Sequence, residues 1–275
     1  VALLMIGGEF DLSAGVMVGS SGLLLGILTT RAGWNIWLAI VAVLAFGVAV
    51  GLLNGITVVK TGLPSFIITL GTFFVLRGLN AGATISLTGG VSIAGIDQAS
   101  GFESARTLFA STIWPAYGLG VSVLWWLALT ALGAWLLART RFGNWIFGSG
   151  GDPVAARNVG VPVARTKVLL FVGTSTISAL WGVMTAISLR GMQSNEGVGR
   201  EFEFIIAAVV GGCLLTGGYG SVLGAAFGAA ILGMAQIGII ASNWDSNYVY
   251  LFEGVILVLA VMLNTAIRRR AQRAR

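Results

Sequence analysis

The sequence predicts an all-α fold, a polytopic bundle of transmembrane helices with about eight spans visible in the chain. Two observations predict it. Of its 275 residues, 56% are hydrophobic and only 9% charged, with a mean hydropathy of +0.93; soluble domains carry about 25% charged residues. Apolar windows also recur along the chain, each near the roughly 20 residues that cross a bilayer as helix. No hydrophilic block is large enough to make a second domain, so residues 1–275 read as one transmembrane domain.

The chain starts inside an apolar run, Val1 to Ile6, which reads as the end of a helix preceded by one or more further helices. Gly7-Gly8-Glu9-Phe10-Asp11-Leu12-Ser13 then places two carboxylates between apolar segments. The paired glycines break the helix, and Asp11 or Ser13 can cap a new one from about Leu12 to Thr30. Ionisable groups at membrane depth face a cavity or a partner; a loop at the membrane surface is the competing reading. Ile36 to Val59 is a span with Gly47, Gly51 and Gly55 on one face, where another backbone can approach closely. A turn at Lys60 to Pro64 leads to a helix from Ser65 to about Leu79, closed by Arg77 and Asn80.

From Ala81 to Trp114 the apolar pattern dissolves into Gly, Ser, Thr and scattered charge, an external connection with room for a short helix. Pro115 to Ala138 and Val168 to Leu189 are spans, the second with Thr174 and Ser178 on one side. Their hydroxyls either bond back to helix carbonyls or line a polar path. Phe204 to Leu215 is shorter than a span. Ser221 to Ala241 repeats the close-packing pattern with Gly220, Gly224 and Gly228, and Tyr248 to Ile267 is the last span.

Between two spans lies the polar connection 139–167, with five basic residues and one acid, Asp152. It carries a short helix with its own punctuation. Asp152 is an N-cap, Pro153 suits the first helical position, and Gly160 can take the left-handed conformation that ends a helix. Fewer than two turns lie between them, too short to stand alone in water, so the helix needs a surface to rest on.

Charge sorts the sides. The net charge is +6, and five of the sixteen basic residues form the tail 268–275. With that tail cytoplasmic, counting spans backward puts 217–220, 139–167 and 60–64 inside, and 190–203 and 81–114 outside. The most basic connection and the basic tail then share a side, as the positive-inside rule requires. The charge is not a nucleic-acid footprint, since no basic face interleaved with aromatics exists.

Several chemistries have no residues to carry them. With no histidine, His-based nucleophiles, proton shuttles and zinc sites are excluded. Cys213 is the one cysteine and packs as a small apolar residue. Lys60 and Lys167 lack the glycine pattern of a phosphate loop. Glu201 and Glu203, two apart, diverge on a helix and favour its positive N-terminus rather than acting as an acid–base pair. No metal or cofactor is implied, and catalysis is not what the chain is built for.

Three blocks carry a family resemblance. Gly7-Gly8-Glu-Phe-Asp11-Leu12-Ser13-Ala-Gly15, Asp152-Pro153-Val-Ala155-Ala156-Arg157-Asn-Val-Gly160-Val161 and Glu201 to Gly220 resemble, in order, elements of the permease subunits of bacterial ABC importers for simple sugars of the ribose, xylose, arabinose and fructose type. The first block has one residue more than the commoner form, which leaves Glu9 without a role. The resemblance implies a multi-pass protein of the bacterial inner membrane. Its partners would be a second copy of itself, a cytoplasmic ABC ATPase subunit and a periplasmic sugar-binding protein. The segment carrying Asp152, Pro153, Ala155, Ala156, Arg157, Gly160 and Val161 would dock on the ATPase, and ATP-driven closure would rock the permease between inward and outward states.

Neutral sugars need hydroxyl and amide partners that bind loosely enough to release, which selects Asp11, Ser13, Asn54, Thr69, Thr174 and Ser178 as the expected pathway. A bulky charge at Ala155 or Ala156 is expected to uncouple ATP hydrolysis from uptake without unfolding the protein. A secondary transporter or channel working alone is the alternative. It needs midmembrane ionisable groups, which beyond Glu9 and Asp11 are sparse.

Overall fold

The computed structural model describes the backbone of residues 1–273 and the side chains of residues 1–266. The arginines of the tail 268–275 lie outside the described side chains. Seven helices among the described residues are long and apolar enough to cross a membrane.

The chain divides into two compact units. One comprises Asp11–Leu129 and Val168–Glu201; the other comprises Val1–Phe10, Thr130–Lys167 and Phe202–Arg275.

In the first unit, α2 (Ser13–Thr30) is enclosed on nearly every face. It is apolar all round, and such a helix belongs at a centre. Around it lie α3 (Ile36–Thr61) and α4 (Ser65–Thr88). The Asn35 side chain caps α3 by accepting from Trp37 N at 2.9 Å, and Gly62, at φ +67°, ends it. The glycine row of α3 does what its spacing predicts. A Cβ on Gly51 would lie 2.5 Å from Val172 Cα, and one on Gly55 2.8 Å from Val168 Cα, so α3 lies backbone to backbone with α9 (Val163–Leu189). Short strands β1 (Ser92–Ala94) and β4 (Gly191–Gln193) pair antiparallel, and α5 (Phe102–Phe109) follows β1. That pairing joins 81–114 to 190–203, two connections expected on one side of the membrane.

In the second unit, α1 (Ala2–Ile6) precedes the glycine break, and α7 (Arg141–Gly151) precedes α8 (Pro153–Asn158). Then come α10 (Arg200–Val210), α11 (Val222–Ala241) and α12 (Tyr248–Arg273). Gly218 N donates to Ile6 O at 2.8 Å.

Five sequence expectations are corrected. Helix α4 does not close at Arg77 and Asn80 but runs on to Thr88. Its buried stripe, Ser65, Thr69, Phe73, Leu76, Asn80 and Thr84, keeps helical spacing but is largely polar, while Phe74, Val75 and Ile85 point outward; this reverses the pattern by which a helix is read. Helix α6 (Ser122–Arg139) starts at Ser122 rather than Pro115, because Thr112–Trp114 and Leu119–Gly120 form a small hairpin, β2 and β3, around Pro115. The connection 139–167 holds a second helix, α7, and α9 begins at Val163. Helix α10 begins at Arg200 rather than Phe204. Neither Asp11 nor Ser13 is the N-cap of α2; Leu12 holds that position, and the Asp11 carboxylate accepts from Ser13 N instead.

Candidate functional site

The polar residues singled out by sequence collect in two places of opposite character.

The first is buried. Asp11 Oδ1 accepts from Ser13 N at 2.9 Å and Ser13 Oγ at 2.5 Å. Ser13 Oγ in turn accepts from Asn54 Nδ2 at 3.0 Å, and Asn54 Oδ1 accepts from Thr72 Oγ1 at 2.6 Å. Thr69 Oγ1 accepts from Leu12 N at 3.1 Å and donates to Ser65 O at 2.8 Å. Ser175 Oγ approaches Asp11 Oδ2 at 3.5 Å. Asp11 is 1% exposed and Asn54 fully enclosed, so every polar atom here must find its partner inside the protein.

Four of the six expected pathway residues, Asp11, Ser13, Asn54 and Thr69, are thus brought together. Thr72 and Ser175 join them unannounced by the sequence. Thr72 lies one helical turn from Ile68, on a face that reads as apolar, and Ser175 sits 164 residues from Asp11. Thr174 and Ser178 are buried on α9, but no hydrogen bond among the described residues joins them to the cluster. On α4, Asn80 Nδ2 and Thr84 Oγ1 are buried without a hydrogen-bond partner.

The second place is exposed. Asp152 Oδ1 accepts from Val154 N at 3.0 Å and Ala155 N at 2.9 Å, satisfying two donors that a helix start leaves open. At the other end Gly160, at φ +88°, closes a two-bond cap: Val161 N donates to Ala156 O and Gly160 N to Arg157 O, at 3.0 and 3.1 Å. That is the Schellman pattern, which glycine permits without strain. The caps are built where the spacing of Asp152 and Gly160 puts them. Val154 and Val159 are 64% and 80% exposed, and Ala155, Arg157 and Asn158 are also exposed.

Ala156 is different. It is 6% exposed and packs on α7, where a Cβ on Gly148 would stand 3.4 Å from its own. Helix α8 therefore rests on α7 through Ala156 and presents the rest of its surface outward. A bulky residue at Ala156 would disturb that seat, so only Ala155 tests the outer face alone.

Two further charged positions are paired. Lys167 Nζ makes an ion pair with Glu9 Oε1, both side chains largely enclosed, which gives Glu9 a partner that no local signal announces. Glu253, buried in α12, accepts from Gln236 Nε2 at 3.1 Å.

Comparison with known proteins shows the family. Residues 1–261 match the family described as branched-chain amino acid transport system / permease component. The chain is 31% identical over 275 residues to the fructose import permease protein FrcC of Rhizobium meliloti, covering 98% of this chain and 74% of that protein. It is 31% identical over 273 residues to the autoinducer 2 import system permease protein LsrC of Escherichia coli, covering 98% and 75%. It is 30% identical over 270 residues to the ribose import permease protein RbsC of Escherichia coli K12, covering 96% and 79%. No solved structure matches the chain.

Proposed function

The chain belongs to the branched-chain amino acid transport system / permease component family, and from that premise we propose that it is the transmembrane subunit of an ATP-driven importer of a simple sugar. The sugar class comes from the relatives named for fructose and ribose import. In this reading residues 1–275 are one permease domain in a bacterial inner membrane, with the C-terminus cytoplasmic. It works as a pair of copies with a cytoplasmic ABC ATPase subunit and a periplasmic sugar-binding protein.

The observation that carries the reading is the exposed face of α8. A six-residue helix capped at both ends and seated on Ala156 is stiffer than a connector needs to be. Its outward Val154, Ala155 and Val159 form an apolar face, flanked by Arg157, with which another protein can engage. Docked on the ATPase, α8 would carry each closure of the nucleotide-binding domains into the membrane, and the permease would alternate between inward and outward states as a rigid-body switch.

The pathway is assigned to Asp11, Ser13, Asn54, Thr69, Thr174 and Ser178. Asp11, Ser13 and Asn54 bond one another, and Thr69 bonds Leu12 N and Ser65 O beside them. A sugar's hydroxyls can exchange with the hydroxyl and amide partners among them at small net cost, because a typical hydrogen bond contributes only about 1 kcal/mol net. The secondary-transporter alternative loses support, since Glu9, one of its two candidate coupling groups, is held by Lys167.

Uptake of radiolabelled ribose and fructose into vesicles, with and without a co-expressed ABC ATPase and binding protein, tests the proposal. Uptake that requires ATP and both partners is expected. Uptake by the chain alone on an ion gradient would instead establish the alternative.

A further inference from the structure

Both flanks of α8 converge on one short stretch of chain, residues 6–9. On the N-terminal flank, Gly150 lies against it, since a Cβ on Gly150 would stand 2.9 Å from the Gly7 carbonyl carbon and 2.7 Å from Gly218 N. Gly217 closes the same junction, where a Cβ would lie 2.7 Å from Gly8 Cα. Side chains are excluded, so the backbones bear directly on one another. On the C-terminal flank, only Val159 to Pro162 separate α8 from α9, and Pro162 stiffens that joint. Five residues beyond Pro162, Lys167 pairs with Glu9.

The pair is unlike the exposed one between Arg106 and Glu103, whose side chains are 46% and 80% exposed. Glu9 and Lys167 show only 9% and 20% of their side chains, so water and salt screen them little, and losing either partner strands a charge. Residues 6–9 run from the end of α1 into the break before α2, and Asp11, first member of the buried polar cluster, follows Glu9 by two residues.

We propose that Glu9 and Lys167 are positioning residues: their ion pair, opposite the Gly8–Gly150–Gly217 junction, is one of two grips by which a displacement of α8 moves the 6–9 break. The proposal rests on the importer reading and adds to it the route of force and the two side chains that carry it. An ion pair suits the task because it holds under sideways displacement, while the glycine contact transmits a push.

The test uses the full chain with its ATPase in vesicles. Glu9→Gln and Lys167→Gln should each lower uptake per ATP hydrolysed about five-fold or more, the range of an allosteric coupling, with hydrolysis continuing. Lys167→Arg should retain coupling, and the exchange Glu9→Lys with Lys167→Glu should restore most of it, as only mutually acting groups allow. Single variants with wild-type coupling, or an exchange as defective as either single, would overturn the proposal.

A second measurement does not depend on transport. In the Cys213→Ala background, purified Glu9→Cys/Lys167→Cys protein should be joined rapidly by a short bis-thiosulfonate linker, and Glu9→Cys/Arg165→Cys much more slowly. No difference between the two would overturn the pairing. A formed link together with wild-type protein that shows no ATP-dependent uptake would overturn the importer reading, and with it the transmission role, while leaving the pair in place.

Discussion

The cluster around Asp11 and the helix α8 are two polar places in an apolar chain, and they handle their polarity in opposite ways. The cluster is enclosed, and its groups bond side chain to side chain across distant segments, from Asp11 through Ser13 and Asn54 to Thr72. Helix α8 is exposed and closes its bonds within the short segment Asp152 to Val161. A buried network couples stability to every member, because each orphaned group pays full desolvation. An exposed, self-capped helix leaves its outer side chains free of structural duty. Side chains without structural duty can be selected for a partner.

That contrast can be broken at four points. The largest effect is expected at Asn54→Leu, which removes the bonds to Ser13 and Thr72 together and buries an apolar group among the remaining polar ones. The purified protein should lose about 3 kcal/mol of stability, read as a lowered melting temperature in detergent, and unchanged melting would remove the cluster from the stability account. Next comes Ala155→Trp on the outer face of α8. Its melting should stay at the wild-type value, while uptake per ATP falls about ten-fold, as for a residue central to an interface. A fall in melting instead would mean that Ala155 has a structural contact.

Asp152→Ala should cost α8 about 1 kcal/mol, the usual value of an N-cap. Hydrogen exchange at the amides of 154–158 should speed up about five-fold, with the rest of the chain unaffected. The smallest change is expected at Thr84→Val. Its hydroxyl is buried without a partner, so replacing it with a methyl should leave stability within about 0.5 kcal/mol of wild type or raise it slightly. A large loss there would reveal a hydrogen bond formed in another state of the protein.

The difference between the two stretches also explains which could be read in advance. Asp152, Pro153 and Gly160 act on backbone atoms no more than a few residues away, so their order along the chain already specifies the caps. Asn54 acts on Ser13, 41 residues away, and Lys167 on Glu9, 158 residues away, and no local pattern encodes such a choice of partner. Helix α4 outruns its expected end for a related reason. Its inward stripe carries Thr69, which accepts from Leu12 N, Asn80, which lies against Gly19, and Thr84, while its apolar residues face outward. Outward apolar residues are normal for a helix in lipid, but they defeat a reading that equates apolar with inside.

By itself, the sequence determined the membrane-spanning helical class, through composition and window length, and the position of α8, through caps that depend on neighbours in the chain. Tertiary structure alone decided that Asn54 joins Thr72 to Ser13, that Ala156 is the seat of α8 rather than part of its outer face, and that Glu9 belongs to Lys167. The physical reason is range. Caps, turns and hydropathy are settled within a few residues, whereas burial and the pairing of polar groups depend on which distant segments the folded chain brings into contact.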